Sequence, residues 1–397
     1  MLDKILDGVR VVDLTQNVAG PFCTQILGDL GATIIKIERP GPGDDTREWR
    51  QPAVAETSAT FLALNRNKSS VCVDIAAPRG ADVVRDLVAS ADVFIHSMKP
   101  GSAERRRLGH SDLSQANPRL IYAAISAFGN YGPMRELPGY DPLLQAFSGI
   151  MSVTGNEGDA PIRVGVSLID MGTGMWSALG VLAGVLRRAQ TGEGMMVEAS
   201  LLDTGLSWMS IVMAGYMATG TLPRKMGSAM AMTAPYELFH SSDGHVFIAA
   251  GNDRLFRAVC TGLGAEALAI DPRFIDNVAR VQNRVALLGA LETVTTCLTT
   301  AEIVQRLRKV GAPCSPLNDV SQVLVHPQVT ASGILAALPL PGAPDHRVVD
   351  LPLMSMGARG RNPVAPPELG EHTDAELTRI GYSSDHISSL RSDGSIV

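Results

Sequence analysis

Two spacings of apolar residues alternate along the first half of the chain. Short, nearly unbroken apolar runs recur at Val9–Thr15 (VRVVDLT), Thr33–Pro40 (TIIKIERP), Ser69–Ile75 (SSVCVDI), Asp92–Met98 (DVFIHSM) and Leu120–Phe128 (LIYAAISAF). Such runs read as strands buried on both faces. Between them the apolar residues take helical spacing. Ala19–Ala32 ends on a glycine stop, Pro78–Ala91 opens with proline in its first turn, and Ser102–Gly109 is short and basic. Tyr140–Val153 and Met171–Arg188 read as further helices, the second ending before Gly192, and Met195–Ser200 adds a strand. Strands alternating with helices predict an α/β fold, a Rossmann-like large domain with a parallel sheet covered on both sides.

The texture changes after Leu222. Pro223–Phe239 is irregular and rich in methionine and small residues, and Phe239–Gly251 spells a hairpin around an Asp-Gly turn. Asn252–Gly264 and Arg284–Gly311 are helical. The tail holds a strand-like stretch, His346–Met356, and a proline-rich approach to a capped helix, Ala365–Gly381. The expected organisation is a large domain over 1–200, a linker helix over 201–224, a smaller α/β domain over 225–325, and a return to the large domain over 326–397.

Composition narrows the function without naming it. The 397 residues are 45% hydrophobic and 19% charged, with a net charge of −6. A nucleic-acid binder would carry a basic excess. The five cysteines are scattered and none has metal-ligand spacing, which suits free thiols in a reducing, cytoplasmic setting. No leader pattern precedes the first strand. Thr204–Pro223 carries no charge, yet its Gly, Ser and Thr content suits a helix buried within the protein or at a subunit interface better than a membrane span.

Candidate chemistry starts at Asp170, the only ionisable residue in Val164–Leu186 (VGVSLIDMGTGMWSALGVLAGVL). An isolated carboxylate in such company needs donors or a chemical task. Two readings stand side by side: the N-cap of a helix beginning near Gly172, or a nucleophile. Ala19–Phe22 and Arg39–Asp45 are glycine-containing turns after strands, able to present amides to phosphate, though neither fits a dinucleotide or P-loop fingerprint. Arg39, Arg47, Lys68 and Arg105–Arg107 could meet a phosphorylated ligand. The histidines have no metal-site spacing, and Ser148 lacks the flanking glycine of a nucleophile elbow.

Taken together, LDGVRVVDLT, AGPFCTQILGDLGATIIKIERPGPGDDTR, LNRNKSSVCVDI, PGSAERRRLG, PGYDPLLQAFSGIMSVTG, IDMGTGM and LGEHTDAEL resemble the family III CoA-transferases (CaiB/BaiF), in order from residue 6 to residue 377. That family includes formyl-CoA:oxalate and carnitine CoA-transferases, with α-methylacyl-CoA racemases as a side branch. The resemblance implies that Asp170 is the catalytic nucleophile and that CoA transfer runs through aspartyl anhydride and aspartyl-CoA intermediates. Developing oxyanions would then need donors, and the amides of Gly172–Gly174 and of Ala19–Gly20 are candidates. It also implies that Val18 and Ala19 lie below the thioester, that Arg39 and Arg105 meet the CoA nucleotide, that Val73, Asp74, Ile75 and Ala76 and then Ser97, Met98 and Lys99 run along the CoA, and that Tyr140 stands near the active aspartate. The implied partners are an acyl-CoA, best succinyl-CoA, a small carboxylic acid, and a second copy of the chain in an interlocked homodimer of open rings. No nucleic acid, membrane, metal or resident cofactor is implied. Two departures matter. Val18 replaces the glutamine of the oxalate enzyme, and GYD replaces the racemases' GHD. Tyrosine titrates near 10, a poor proton shuttle at neutral pH. A 2-methylacyl-CoA racemase is therefore the second reading, and a CoA binder without transfer activity the third.

Overall fold

A computed structural model describes residues 2–54, 57–360 and 362–397. The chain forms two compact units. The larger comprises Met1–Ile150, Arg163–Ala218 and Thr330–Val397, and the smaller Met151–Ile162 and Thr219–Val329. Residues 151–162 thus leave the expected 1–200 stretch for the smaller unit, and most of the expected linker clusters with the larger.

The larger unit is built on six parallel strands: β1 (Arg10–Leu14), β2 (Thr33–Glu38), β3 (Lys68–Cys72), β4 (Val93–His96), β5 (Ile121–Ser126) and β6 (Met195–Ser200). Their order across the sheet is β3-β2-β1-β4-β5-β6. The chain winds one way from β1 and then restarts beside it at β4. In such sheets ligands bind outside the carboxyl ends of the strands, where the order reverses. Here that point lies between β1 and β4.

Both faces are covered, as the unbroken apolar runs require. One face packs against α2 (Gly80–Ala89) and two late helices, Thr373–Arg379 and Ser384–Ser392, through Val83, Leu87, Leu377, Ile387 and Leu390. On the other face lie α1 (Ala19–Asp29) and α4 (Leu168–Thr191), where α3 is Asp141–Phe147. Glycines set their depth. A Cβ on Gly184 would meet Ile121 at 3.0 Å, and one on Gly180 would meet Val197 at 2.5 Å. α4 is long and apolar enough to cross a bilayer by length and composition, and the sheet covers one side of it while Met171, Met175 and Leu179 stay exposed.

The far edge of the sheet is closed by distant sequence. His372 N donates to the Ser70 carbonyl, Asp74 N donates to that of Ser395, and Val73 bridges Ile396. The smaller unit has a three-stranded antiparallel sheet, whose hairpin Tyr236–His240/His245–Ala249 turns at Asp243–Gly244.

Several boundaries differ from the sequence pattern. Pro78 lies outside α2. The expected helix Tyr140–Val153 breaks at Gly149, φ 91°, into α3 and a single-turn helix over Ile150–Val153. Arg284–Gly311 breaks between Thr295 and Thr300, where Thr299 and Glu302 form a reciprocal capping box. Thr204–Pro223 forms parts of two helices, α5 (Leu201–Trp208) and α6 (Ser210–Thr219), and α6 has no buried residue.

Candidate active site

The crossovers leaving β1, β2, β3 and β4 carry nearly all the residues singled out in the sequence. Val18 and Ala19 follow β1, Arg39 follows β2, Val73–Ala76 follow β3, and Ser97–Lys99 follow β4. Ser97 Oγ accepts a hydrogen bond from Gln16 N at 3.3 Å, tying two of these loops across the reversal point. Met98, Lys99 and Arg105 line a cavity of about 480 Å³ floored by His96 and Tyr122. Among the described residues neither Lys99 nor Arg105 forms an ion pair, and the glutamates Glu104, Glu136 and Glu198 line the same cavity. His96 donates from Nε2 to Tyr122 Oη at 2.7 Å and accepts Met98 N on Nδ1 at 3.2 Å; burial pushes its pKa down to about 4, so the floor is neutral.

The other positions are less open. Arg39 pairs with Asp45 at the surface. The Val73 side chain belongs to the core, its N–H donates to the Glu38 carbonyl at 2.8 Å, and Asp74 accepts Ala76 N at 2.8 Å to shape the turn that follows. Two basic residues leave the ligand-binding set. Lys68 is buried, bonded to Asn65 Oδ1 at 2.9 Å and to the Pro21 carbonyl at 3.0 Å. Arg47 makes a two-pronged pair with Glu38, both arms 2.7 Å, over the Phe61 ring.

Asp170 stands in the first turn of α4, but it does not cap the helix. The helix starts at Leu168, so Asp170 is the third helical residue. The cap comes from another element. Asp141, at the start of α3 and 2% exposed, accepts Ile169 N at 2.7 Å and Asp170 N at 3.2 Å through one oxygen, and Gln145 Nε2 at 2.5 Å through the other. The orphan amides of the first turn are thereby satisfied by a carboxylate 29 residues away. The Asp170 carboxylate is left without a hydrogen-bond donor among the described residues. Burial, and then the nearby Asp141 charge, raise its pKa to about 7. Nothing in the structural role of a cap would call for this state. A half-desolvated carboxylate without donors is poorly solvated and correspondingly nucleophilic.

The glycines beside Asp170 serve packing. A Cβ on Gly174 would lie 2.5 Å from the Ala19 carbonyl, and one on Gly172 2.8 Å from the Trp208 ring. α4 therefore rests directly on the first turn of α1, one helical turn beyond Asp170 on the same side. Gly172–Gly174 sit inside α4, so their amides belong to its hydrogen-bond ladder and cannot serve an oxyanion. The first amides of α1 remain: Val18 provides no side-chain cap there. Tyr140 is exposed, and its carbonyl accepts Leu144 N at 3.1 Å to open α3 beside Asp141.

These elements match a known design. The family model described as CoA-transferase family III fits residues 6–373. The chain belongs to CoA-transferase family III. A succinyl-CoA:glutarate CoA-transferase of Mus musculus is 36% identical over 394 residues, covering 99% of this chain and 90% of that protein. A succinate–glutarate CoA-transferase of Agrobacterium fabrum is 34% identical, covering 94% and 95%. The crystal structure of a CaiB/BaiF family protein from Brucella suis superposes with a TM-score of 0.84 at 37% identity, covering 94% of this chain and 99% of that one. The chain is thus a CoA-transferase acting between acyl-CoA and carboxylate.

Asp141 was not singled out in the sequence. Its signal was present: a second acid beside Tyr140 in PGYD, next to a proline that starts a helix.

Proposed function

We propose that this CoA-transferase moves CoA from succinyl-CoA to a small carboxylic acid through covalent species on Asp170. The single observation that carries the reading is the donor-free, up-shifted carboxylate at the head of α4, one helical turn from the contact between Gly174 and the Ala19 carbonyl. An Asp170 oxygen attacks the thioester carbonyl, the C–S bond breaks, and CoA leaves as thiolate. The thiolate attacks the aspartyl carbonyl of the mixed anhydride, releasing succinate and forming aspartyl-CoA. The acceptor carboxylate attacks that thioester and expels the thiolate, which then attacks the acceptor carbonyl. Acceptor-CoA departs and Asp170 is regenerated. Each step exchanges one activated acyl bond for another, so no metal or redox group is required. The amides of Ala19 and Gly20 would steady the developing oxyanion. Lys99 and Arg105 would meet the nucleotide, with Arg39 after exchange from Asp45, and Val73–Ala76 and Ser97–Met98 would flank the CoA. Names of the relatives support succinyl-CoA as donor and a dicarboxylate as acceptor.

We propose further that a second copy covers the exposed apolar stripe of α4, formed by Met171, Met175 and Leu179 at four-residue spacing, together with Trp176, Ile211 and Met217. A homodimer would bury what a lone chain leaves in water.

The deciding experiment is trapping. Incubated with succinyl-CoA, without acceptor and with hydroxylamine, the protein is expected to convert Asp170 to a hydroxamate, losing activity in step with the mass change of that peptide. Asp170→Asn is expected to stay unlabelled and inactive. Turnover without any label at Asp170 would refute the covalent route. Solvent deuterium exchange at the α-carbon of a 2-methylacyl-CoA, without label, would substitute the racemase.

A further inference from the structure

Beneath the turn from β1 to α1 lie four ionic side chains with almost no exposure: Asp13, Lys36, Asp44 and Lys68. Lys36 stands in the middle of β2, in a run where an aliphatic residue would pack on either face. It pairs with Asp44 at 2.7 Å, and Lys68 lies 3.4 Å from Asp13. The four charges sum to zero. Well-packed apolar residues often replace such pairs at no loss of stability, so stability alone explains them poorly.

Their contacts share one target. Lys36 Nζ donates to the Thr15 carbonyl at 3.0 Å. Asp13 accepts Thr15 N at 3.0 Å. Asp44 accepts Asn17 N at 3.3 Å, and Lys68 donates to the Pro21 carbonyl at 3.0 Å. The backbone is thus gripped at residues 15, 17 and 21, on both sides of Val18–Gly20. Asn17 takes the left-handed conformation, φ 68°, and a Cβ on Gly20 would collide with the Thr15 side chain at 2.3 Å, so the turn has little room to relax. Its outer surface carries the Ala19 carbonyl that abuts Gly174, one turn from Asp170. The amides of Ala19 and Gly20 precede the first helical bond, which Phe22 N makes to the Val18 carbonyl at 2.9 Å.

We infer that the Lys36–Asp44 and Lys68–Asp13 pairs are positioning residues, which hold the β1–α1 turn rigidly against the head of α4 so that the amides of Ala19 and Gly20 stand at a fixed distance from the reacting carbonyl beside Asp170. The inference rests on the Asp170 reading above. Donors aimed at a developing oxyanion act only if they need no rearrangement at the moment of reaction, and a displacement of about 1 Å costs on the order of a hundredfold. A buried ionic web supplies that rigidity from below, where it touches neither substrate nor solvent. Its loss should therefore fall on turnover and spare binding of the CoA body.

The test uses the full chain with two variants. Lys36→Met/Asp44→Asn removes both charges while the asparagine oxygen keeps the contacts to Asn17 and Thr46. Asp44→Asn alone removes only the counter-charge of Lys36. Active sites are counted by hydroxylamine trapping at Asp170, so that misfolded protein drops out of the rate. We expect kcat per titrated site to fall about tenfold in the single variant and up to a hundredfold in the double, with the acyl-CoA KM within threefold of wild type. Hydrogen exchange of the peptide spanning residues 15–22 should accelerate in both. A kcat per site within twofold of wild type in both variants would overturn the inference, as would a rise in KM that accounts for the whole loss. A wild-type enzyme that turns over without labelling Asp170 would instead sink the covalent reading itself.

Discussion

Asp141→Asn separates the two things that Asp141 does. Its oxygen accepts the amides of Ile169 and Asp170, and its charge opposes ionisation of the Asp170 carboxyl. Asparagine keeps an acceptor oxygen for both amides and deletes the charge. Two unit charges about 6 Å apart repel by about 3 kcal/mol at an effective dielectric near 20, or roughly two pK units. Asp170 is partly open to solvent, which weakens the coupling, and burial is the larger cause of its shift; we expect the pKa to drop from about 7 by roughly one unit. The sign follows directly. A lower pKa leaves more of the nucleophile ionised at pH 6, so the acid limb of kcat/KM for the acyl-CoA donor should move to lower pH. On the alkaline plateau the rate should hold or fall, because a less basic carboxylate is a weaker nucleophile. The variant also loses the Gln145 contact, at about 1 kcal/mol of stability. The assay is single-turnover acylation of Asp170 between pH 5 and 9, under conditions where the variant is fully folded. An acid limb that stays in place, or moves to higher pH, would refute the reasoning.

Two further outcomes follow from the geometry. Arg105→Ala should raise the acyl-CoA KM by roughly ten- to a hundredfold with little change in kcat, since a charge-assisted phosphate contact contributes about 1.5–3 kcal/mol, whereas Arg107→Ala, outside the 480 Å³ cavity, should leave KM unchanged. Met175→Glu/Leu179→Glu, on the exposed stripe of α4, should convert a dimer seen by analytical ultracentrifugation into a monomer; a wild-type chain that sediments as a monomer at micromolar concentration would remove the proposed partner.

The alternation of apolar runs and helical spacing was enough to read the parallel sheet, because strands covered on both faces leave little choice of residue. The position of Asp170 was legible for the opposite reason, as a lone charge in an apolar stretch. Its surroundings were not. Whether Asp170 caps α4 depends on what else reaches the first turn, and Asp141 reaches it from a separate helix. Lys68 and Arg47 looked like ligand contacts because basic residues near glycine turns usually face solvent; their partners, Asn65 and Glu38, are set by tertiary packing. Yet a trace was there to read. Asp13 and Lys36 each stand between apolar neighbours in runs that are mostly apolar, and a charge inside a doubly covered strand has to be answered by another. The breaks at Gly149 and Thr299 escaped notice since apolar periodicity runs through both.

The closure of the β3 edge also sets a timetable for synthesis. His372 and Ser395 bond to residues some 300 positions earlier, after the entire smaller unit has been made. At about 5–20 residues per second, the outer strand of the sheet emerges and then waits on the order of 15–60 s for the segments that cover it. During that interval it presents unpaired backbone beside an apolar face, a template for any neighbouring strand. Shielding of that edge until the residues that cover it are translated would prevent such pairing. High-yield production should accordingly reward slower translation more than any gain in the stability of the finished fold.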